Sequence, residues 1–230
     1  MFYIPENNWN FINEKRIKQL EEIYDKIDSF YPTEKNVLRF LENDFNDIKY
    51  IIVGMDPYPS SFIKDGVEIP QATGRSFEVA SISSWNEKFK QSSLRNILKT
   101  IYLNETGQKK SLEEIREEIK SGTFRILSPH EWYDNLEKQG VIFLNATLTV
   151  EPGKPNSHVS LWDAFMEDLI VHIDSNSDAK WLLWGNDAKK RVFDLVKADQ
   201  CILSCHPRLA QFVDENCFAK THNVDWKGSV

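Results

Sequence analysis

The sequence predicts a single α/β domain: a central four-stranded parallel sheet with helices on both faces. Three observations predict it. Four short runs are almost continuously apolar, as strands covered on both faces are; amphipathic helical patterns lie between them; and the 230 residues, 41% hydrophobic, suffice for a sizeable core. No repeat and no linker rich in Pro, Gly or Ser divides the chain, so one domain over residues 1–230 is expected.

Taken in order, residues 13–30 set Ile17, Leu20, Ile23, Tyr24 and Ile27 on one face and predict an amphipathic helix. Residues 48–54 (IKYIIVG) predict the first strand. Ser111 followed by Glu114 resembles a capping box that opens a polar helix running to Lys120. Residues 140–150 (GVIFLNATLTV) predict the second strand and residues 161–173 another amphipathic helix. The third strand, residues 180–185 (KWLLWG), leads directly into a helix over residues 187–197, and residues 200–205 (QCILSC) predict the fourth strand.

Composition excludes several classes. Nine Gly and nine Pro are too few for a low-complexity chain, and no apolar run approaches the roughly 18 residues of a membrane span. The opening MFYIPENNWNF lacks the basic and apolar stretches of a signal peptide, and three cysteines are an odd number, so an intracellular, reducing (cytoplasmic) setting is expected. A net charge of −7 argues against bulk polycationic binding of nucleic acid, so any DNA contact must be local. Residues 180–230 carry 8 Lys/Arg against 6 Asp/Glu, a weakly basic end on an acidic body.

Ligands of parallel sheets sit beyond the carboxyl ends of the strands, which directs attention to the residues just past each strand. After the first strand, Gly54-Met55-Asp56-Pro57-Tyr58-Pro59-Ser60 is a turn stiffened by two prolines that holds a carboxylate and a phenol; by itself it reads first as an Asp-Pro turn that merely ends a strand, and second as a rigid carboxylate placed for chemistry. Asn145 interrupts an otherwise apolar strand end, where its carboxamide either reads an imide-like edge or bonds a neighbouring loop. His206 comes after the fourth strand, either where substrate would lie or as a structural histidine. Cys201 and Cys205 beside it lack metal-site spacing and read as reduced packing thiols.

Together these strand ends resemble the family 1 uracil-DNA glycosylases, in which G-Q-D-P-Y-H, G-x-x-F, L-L-N-x-x-L-T-V, L-L-W-G and H-P-S-P-L segments occur in this order. Here they read GMDPYP, Gly74-Arg75-Ser76-Phe77, FLNATLTV, LLWGN and HPRL. SSLRNILKTIY (residues 92–102) resembles the family's serine-led helix, NSHVSLWDAF (residues 156–165) its S-H segment, and Asp225-Trp226 its terminal D-W, so the resemblance spans residues 48–226. The chain departs from the pattern at Met55 and Pro59, which stand where the family has Gln and His, although poxvirus members also have that proline. It departs too in longer segments at 63–73 and 104–124, in Lys90-Gln91-Ser92 in place of a proline-rich lead, and at Arg208 in place of a serine.

The resemblance implies an enzyme that flips uracil out of DNA and hydrolyses its N-glycosidic bond, leaving an abasic site. It implies Asp56 and His206 as the catalytic pair: a carboxylate meeting the positive charge on the sugar, and a neutral imidazole donating to uracil O2 as the base departs. Phe77 would stack on the base, Asn145 read its N3 and O4 edge, the main chain near Met55 contact its oxygens, and Tyr58 exclude thymine's methyl group. Ser60, Ser93, Gly185 and Asn186 would clamp phosphates, Arg208 add one charge, and Leu209 wedge into the gap left by the base. No metal or organic cofactor is implied. The implied partner is uracil-containing DNA, single- or double-stranded, met by a monomer; an inhibitor protein or replication factor is left open. Two other readings remain at this point: a catalytically weak DNA-binding module on the same fold, and a glycosylase for another damaged base. A metal-dependent hydrolase is set aside because the Asp and His candidates form no recognisable ligand set.

Overall fold

The computed structural model describes residues 1–228. Four parallel strands, β1 (Tyr50–Gly54), β4 (Val141–Asn145), β5 (Lys180–Trp184) and β6 (Cys201–Ser204), form one sheet in the order β4-β1-β5-β6. A separate antiparallel hairpin joins β2 (Ser61–Lys64) to β3 (Val67–Pro70). The helices are α1 (Glu14–Tyr24), α2 (Ser92–Thr106), α3 (Leu112–Ser121), α4 (Pro129–Lys138), α5 (Val159–Asn176), α6 (Asn186–Val192) and α7 (Gln211–Glu215). No helix among the described residues is long and apolar enough to cross a membrane.

The sheet divides two cores, and the strand period of two explains why its sequences read as unbroken apolar runs. Ile51 and Val53 of β1, Ile142 and Leu144 of β4, and Trp181 and Leu183 of β5 face the layer built from α1, α5 and the N-terminal segment. Tyr50 and Ile52, Val141 and Phe143, and Leu182 and Trp184 face the layer of α2, α3, α4 and the C-terminal segment. All seven tryptophans are buried, and they fall on both sides, so neither layer is a thin covering.

The predicted elements recur with shifted ends. The first helix starts as expected, with the Asn13 side chain accepting from Arg16 N, but stops at Tyr24 rather than running to residue 30. Beyond it Asp28 and Ser29 are weak helix formers and Pro32 draws Tyr31 into extended backbone, where it bridges to Val150; Ile27 and Phe30 still pack on the core from turns. The Ser111–Glu114 capping box is present, and Gly122 closes α3 in the left-handed region. The second strand ends at Asn145, and the rest of the predicted run passes through bends at 146–148 to Val150, which bridges to Tyr31. The helix after β5 gives way at Val192 to a short 3-10 turn over Phe193–Leu195. The fourth strand is an edge strand and not covered on both faces: Leu203 is 39% exposed. The longer 63–73 segment supplies the turn of the hairpin at Asp65-Gly66, both residues at positive φ, and its second strand, and the longer 104–124 segment supplies α3.

Candidate active site

The carboxyl ends of β1, β4, β5 and β6 open on one side, and the family-like residues gather there. β1 and β4 are paired so that Gly54 lies opposite Asn145, and the pairing continues one step further, with Ala146 N–H donating to the Gly54 carbonyl and Thr147 N–H to the Met55 carbonyl, both at 2.9 Å. Asn145 is 3% exposed, and its carboxamide lies across the bare face of Gly54. A β-carbon on Gly54 would stand 2.6 Å from Asn145 Oδ1 and 2.7 Å from Ser76 Cβ, so only glycine lets both neighbours close in. Gly54→Ala is therefore expected to cost about 1–3 kcal/mol in a urea unfolding titration; an unchanged midpoint would show that Asn145 and Ser76 yield freely.

Asp56 follows on the proline-stiffened turn. Burial raises its pKa above the ordinary aspartate value, opposed by the backbone N–H of Asn156, which donates to Asp56 Oδ2 at 2.8 Å. Asn156 holds a φ of +61°, a left-handed conformation that asparagine tolerates better than most residues and that belongs to the turn presenting this N–H. Tyr58 packs against the α2–α4 core, where burial pushes its phenol up to about 12. Met55 lines a cavity together with Ala146, Val159 and Arg191, and its carbonyl is held by Thr147.

His206 stands beyond β6. Burial, and then the charge of Arg208, lower its pKa below the ordinary histidine value, so the ring is neutral at neutral pH. Its Nδ1 accepts from the backbone N–H of Arg208 at 3.0 Å. A nitrogen that accepts from a fixed donor carries no proton, so the neutral ring bears its hydrogen on Nε2 and offers a donor there. Gly185, at a φ of +97°, packs directly on this histidine; a β-carbon there would come within 2.8 Å of His206 Cβ. Phe77, itself at a φ of +64°, brings its ring to 6.2 Å from the His206 ring and 5.3 Å from Trp184, centroid to centroid.

The proposed DNA contacts fall into two groups. Ser93 lies in the first turn of α2, and Gly185 and Asn186 start α6; neither helix start has a side-chain cap, so first-turn amides are not taken by a capping side chain. Asn96 Nδ2 of α2 donates to the carbonyls of Pro207 at 2.6 Å and Leu209 at 3.1 Å, tying the loop that carries His206, Arg208 and Leu209 to this helix. Arg208 is exposed and Leu209 is 48% exposed. Ser60 sits apart from these, exposed at the base of the hairpin, where its carbonyl accepts from Gln71 N. Sequence reasoning missed Asn156, Asn96 and the spacing role of Gly54. The helical pattern around Asn96 and the turn-forming Pro155-Asn156 pair place the first two in their elements but do not record their distant partners.

No protein-family model matches the chain. A uracil-DNA glycosylase of Buchnera aphidicola subsp. Baizongia pistaciae is 34% identical over 165 residues, 71% of this chain, which spans only 61% of that protein's length. A uracil-DNA glycosylase of Buchnera aphidicola subsp. Acyrthosiphon pisum is 30% identical over 202 residues, 86% of this chain and 74% of that one. Among solved structures, a variant of mimivirus UNG in complex with UGI superposes with a TM-score of 0.60 at 26% identity, covering 83% of this chain and 62% of its own. Identity at this level over most of both chains, on a matching fold, places the chain in the uracil-DNA glycosylase family.

Proposed function

We propose that this protein excises uracil from DNA by hydrolysing the N-glycosidic bond, with Asp56 and His206 acting on opposite sides of that bond. The observation that carries the reading is the convergence of His206, bearing its proton on Nε2, with the ring of Phe77, on the sheet end where Asn145 crosses Gly54.

As the bond breaks, positive charge develops on the sugar and negative charge on the departing base. The Asp56 carboxylate, fixed by the Asn156 N–H, faces the first charge and orients the attacking water. The Nε2–H of His206 faces the second, donating to uracil O2. Phe77 stacks on the base and Asn145 presents a donor and an acceptor to its N3–O4 edge. The base reaches them only if the nucleotide is flipped out of the stack, and half-exposed Leu209 fills the gap. Uncapped first-turn amides near Ser93 and Asn186, with Ser60 and Arg208, hold the phosphates, which suits an acidic protein.

DNA containing uracil is the partner of this reading. The mimivirus relative's complex with UGI supports a protein ligand of the same kind. The three cysteines are free thiols, which supports a reducing, intracellular setting.

The decisive assay scores abasic-site formation on uracil-containing oligonucleotides, single- and double-stranded; no cleavage at uracil in either form would sink the proposal. Selectivity should then divide between two residues. Tyr58→Ala is expected to admit thymine, whose hydrogen-bonding edge equals that of uracil, and Asn145→Asp to admit cytosine, whose edge is reversed. If an active wild type is accompanied by two variants that gain nothing on T- or C-containing strands, the pocket is assigned wrongly.

A further inference from the structure

One cluster of charged side chains, buried at Arg75 and Glu78 and open to solvent at His130 and Asp134, is not used by this chemistry. Arg75 is 6% and Glu78 2% exposed, on either side of the half-buried Phe77. Arg75 Nη1 lies 3.4 Å from both oxygens of Glu78, while Nη2 donates to Asp134 at 2.6 Å and to Glu137. His130 Nδ1 stands 2.9 Å from Glu78. His130, Asp134 and Glu137 are spaced i, i+4, i+7 on α4, so one face of that helix presents all three, while Trp132, Tyr133 and Leu136 bury the other.

The pairs of Arg75 with Glu78 and Glu137 are buried, whereas His130 and Asp134 reach the surface, and buried pairs of this kind add little to stability, since desolvation of the charges offsets most of the attraction. What the cluster does accomplish is geometric. Phe77 occupies a left-handed conformation that bulky residues avoid, and such a conformation persists only where the surroundings over-determine it. The turn is gripped on every side: at Gly74, where a β-carbon would meet the Asn36 carbonyl at 2.2 Å; at Ser76, whose N–H donates to the Phe143 carbonyl at 3.2 Å; and at 75 and 78 by the ions. Gly74 and Ser76 fix the entry to the turn, but past Phe77 the chain is held to α4 by Glu78.

We infer that Arg75 and Glu78 are positioning residues for base recognition, locking the turn to α4 so that the Phe77 ring is presented to the flipped uracil. This rests on the reading that Phe77 stacks on the base. Lysine at 75 keeps the charge but has no fork to span Glu78 and the α4 carboxylates together, so the turn relaxes and Phe77 leaves its strained conformation.

The test is a double-mutant cycle read by excision of uracil from a single-stranded oligonucleotide and by inhibition with free uracil. Arg75→Lys should lower kcat/KM and raise the uracil inhibition constant, each by about tenfold, with affinity for uracil-free DNA within about twofold of wild type. In a Phe77→Ala background the same substitution should change neither. Equal losses in both backgrounds would mean general structural damage and overturn the inference. Should Phe77→Ala alone leave excision and uracil inhibition intact, the stacking reading itself fails, a different result. Glu78→Gln, which keeps hydrogen bonds to Arg75 and His130 but removes the charge, runs the same cycle if Arg75→Lys does not fold; it should give a smaller loss that again vanishes without Phe77, and its persistence there would overturn the inference.

Discussion

Asp56→Asn should abolish nearly all base release while leaving DNA binding close to wild type. The side chains are isosteric, and Asn156 N–H finds an acceptor in the amide oxygen as it did in the carboxylate, so the turn keeps its shape. What disappears is the charge facing the sugar cation, in a site where burial strengthens electrostatics. The expected fall in single-turnover rate is at least about a thousandfold, near the upper range for loss of one such preorganised group. The same burial gives a second readout. Asp56 has a folded-state pKa above its unfolded value, so its ionised form costs the fold stability at neutral pH, and that cost fades as the pH drops below both values. The asparagine variant should therefore melt at or above the wild-type temperature at neutral pH, with the difference closing in acid. Wild-type excision should correspondingly decline at a pH higher than an ordinary aspartate would dictate. Wild-type turnover in Asp56→Asn, or a clear loss of melting temperature at neutral pH, would contradict this account.

His206→Ala should lower kcat by on the order of 100- to 1,000-fold with KM little changed, the usual loss for one donor aimed at developing negative charge. The loop should survive the change because Asn96 holds the Pro207 and Leu209 carbonyls independently of the ring. Because burial and Arg208 depress the imidazole pKa, the wild-type rate should show no limb at the ordinary histidine value; protonation would require His206 to give up the bond from Arg208 N. A limb near pH 6.5 that vanishes in the alanine variant would show that the charged ring, not the neutral one, is the working form.

The sheet was legible because β1, β4 and β5 alternate between two cores, so that both faces demand apolar side chains and the sequence shows it as an unbroken run. β6 was legible for a weaker reason, since an edge strand with exposed Leu203 needs less of that pattern. The β2–β3 hairpin carried its own signal in Asp65-Gly66 between Ile63 and Val67, a pair suited to a positive-φ turn, but those residues are 68% and 61% exposed and the segment lacks the apolar run of a buried strand. Of the site, Asp56, Asn145 and His206 could be placed because they interrupt or end strands. Asn96 and Asn156 could not, because each acts through a tertiary hydrogen bond across about a hundred residues of chain, which no local pattern records. Arg75 and Glu78 likewise read as two ordinary charges until α4 closed over them.

The strand order has a consequence for how the molecule comes into being. β1 is one of the two interior strands, yet its nearest partner in the chain, β4, begins at Val141, about ninety residues after β1 ends at Gly54, and its other partner, β5, begins only at Lys180. At translation rates of roughly 5–20 residues per second, the Tyr50–Val53 run waits on the order of 4 to 17 seconds before either neighbour exists. During that interval the backbone on both edges of β1 has no strand to pair with, although the helices that cover its faces, α1 to α4, are made before β4. Completion of the sheet is therefore tied to the pace of synthesis, because the strand that joins its two halves is made long before either neighbour.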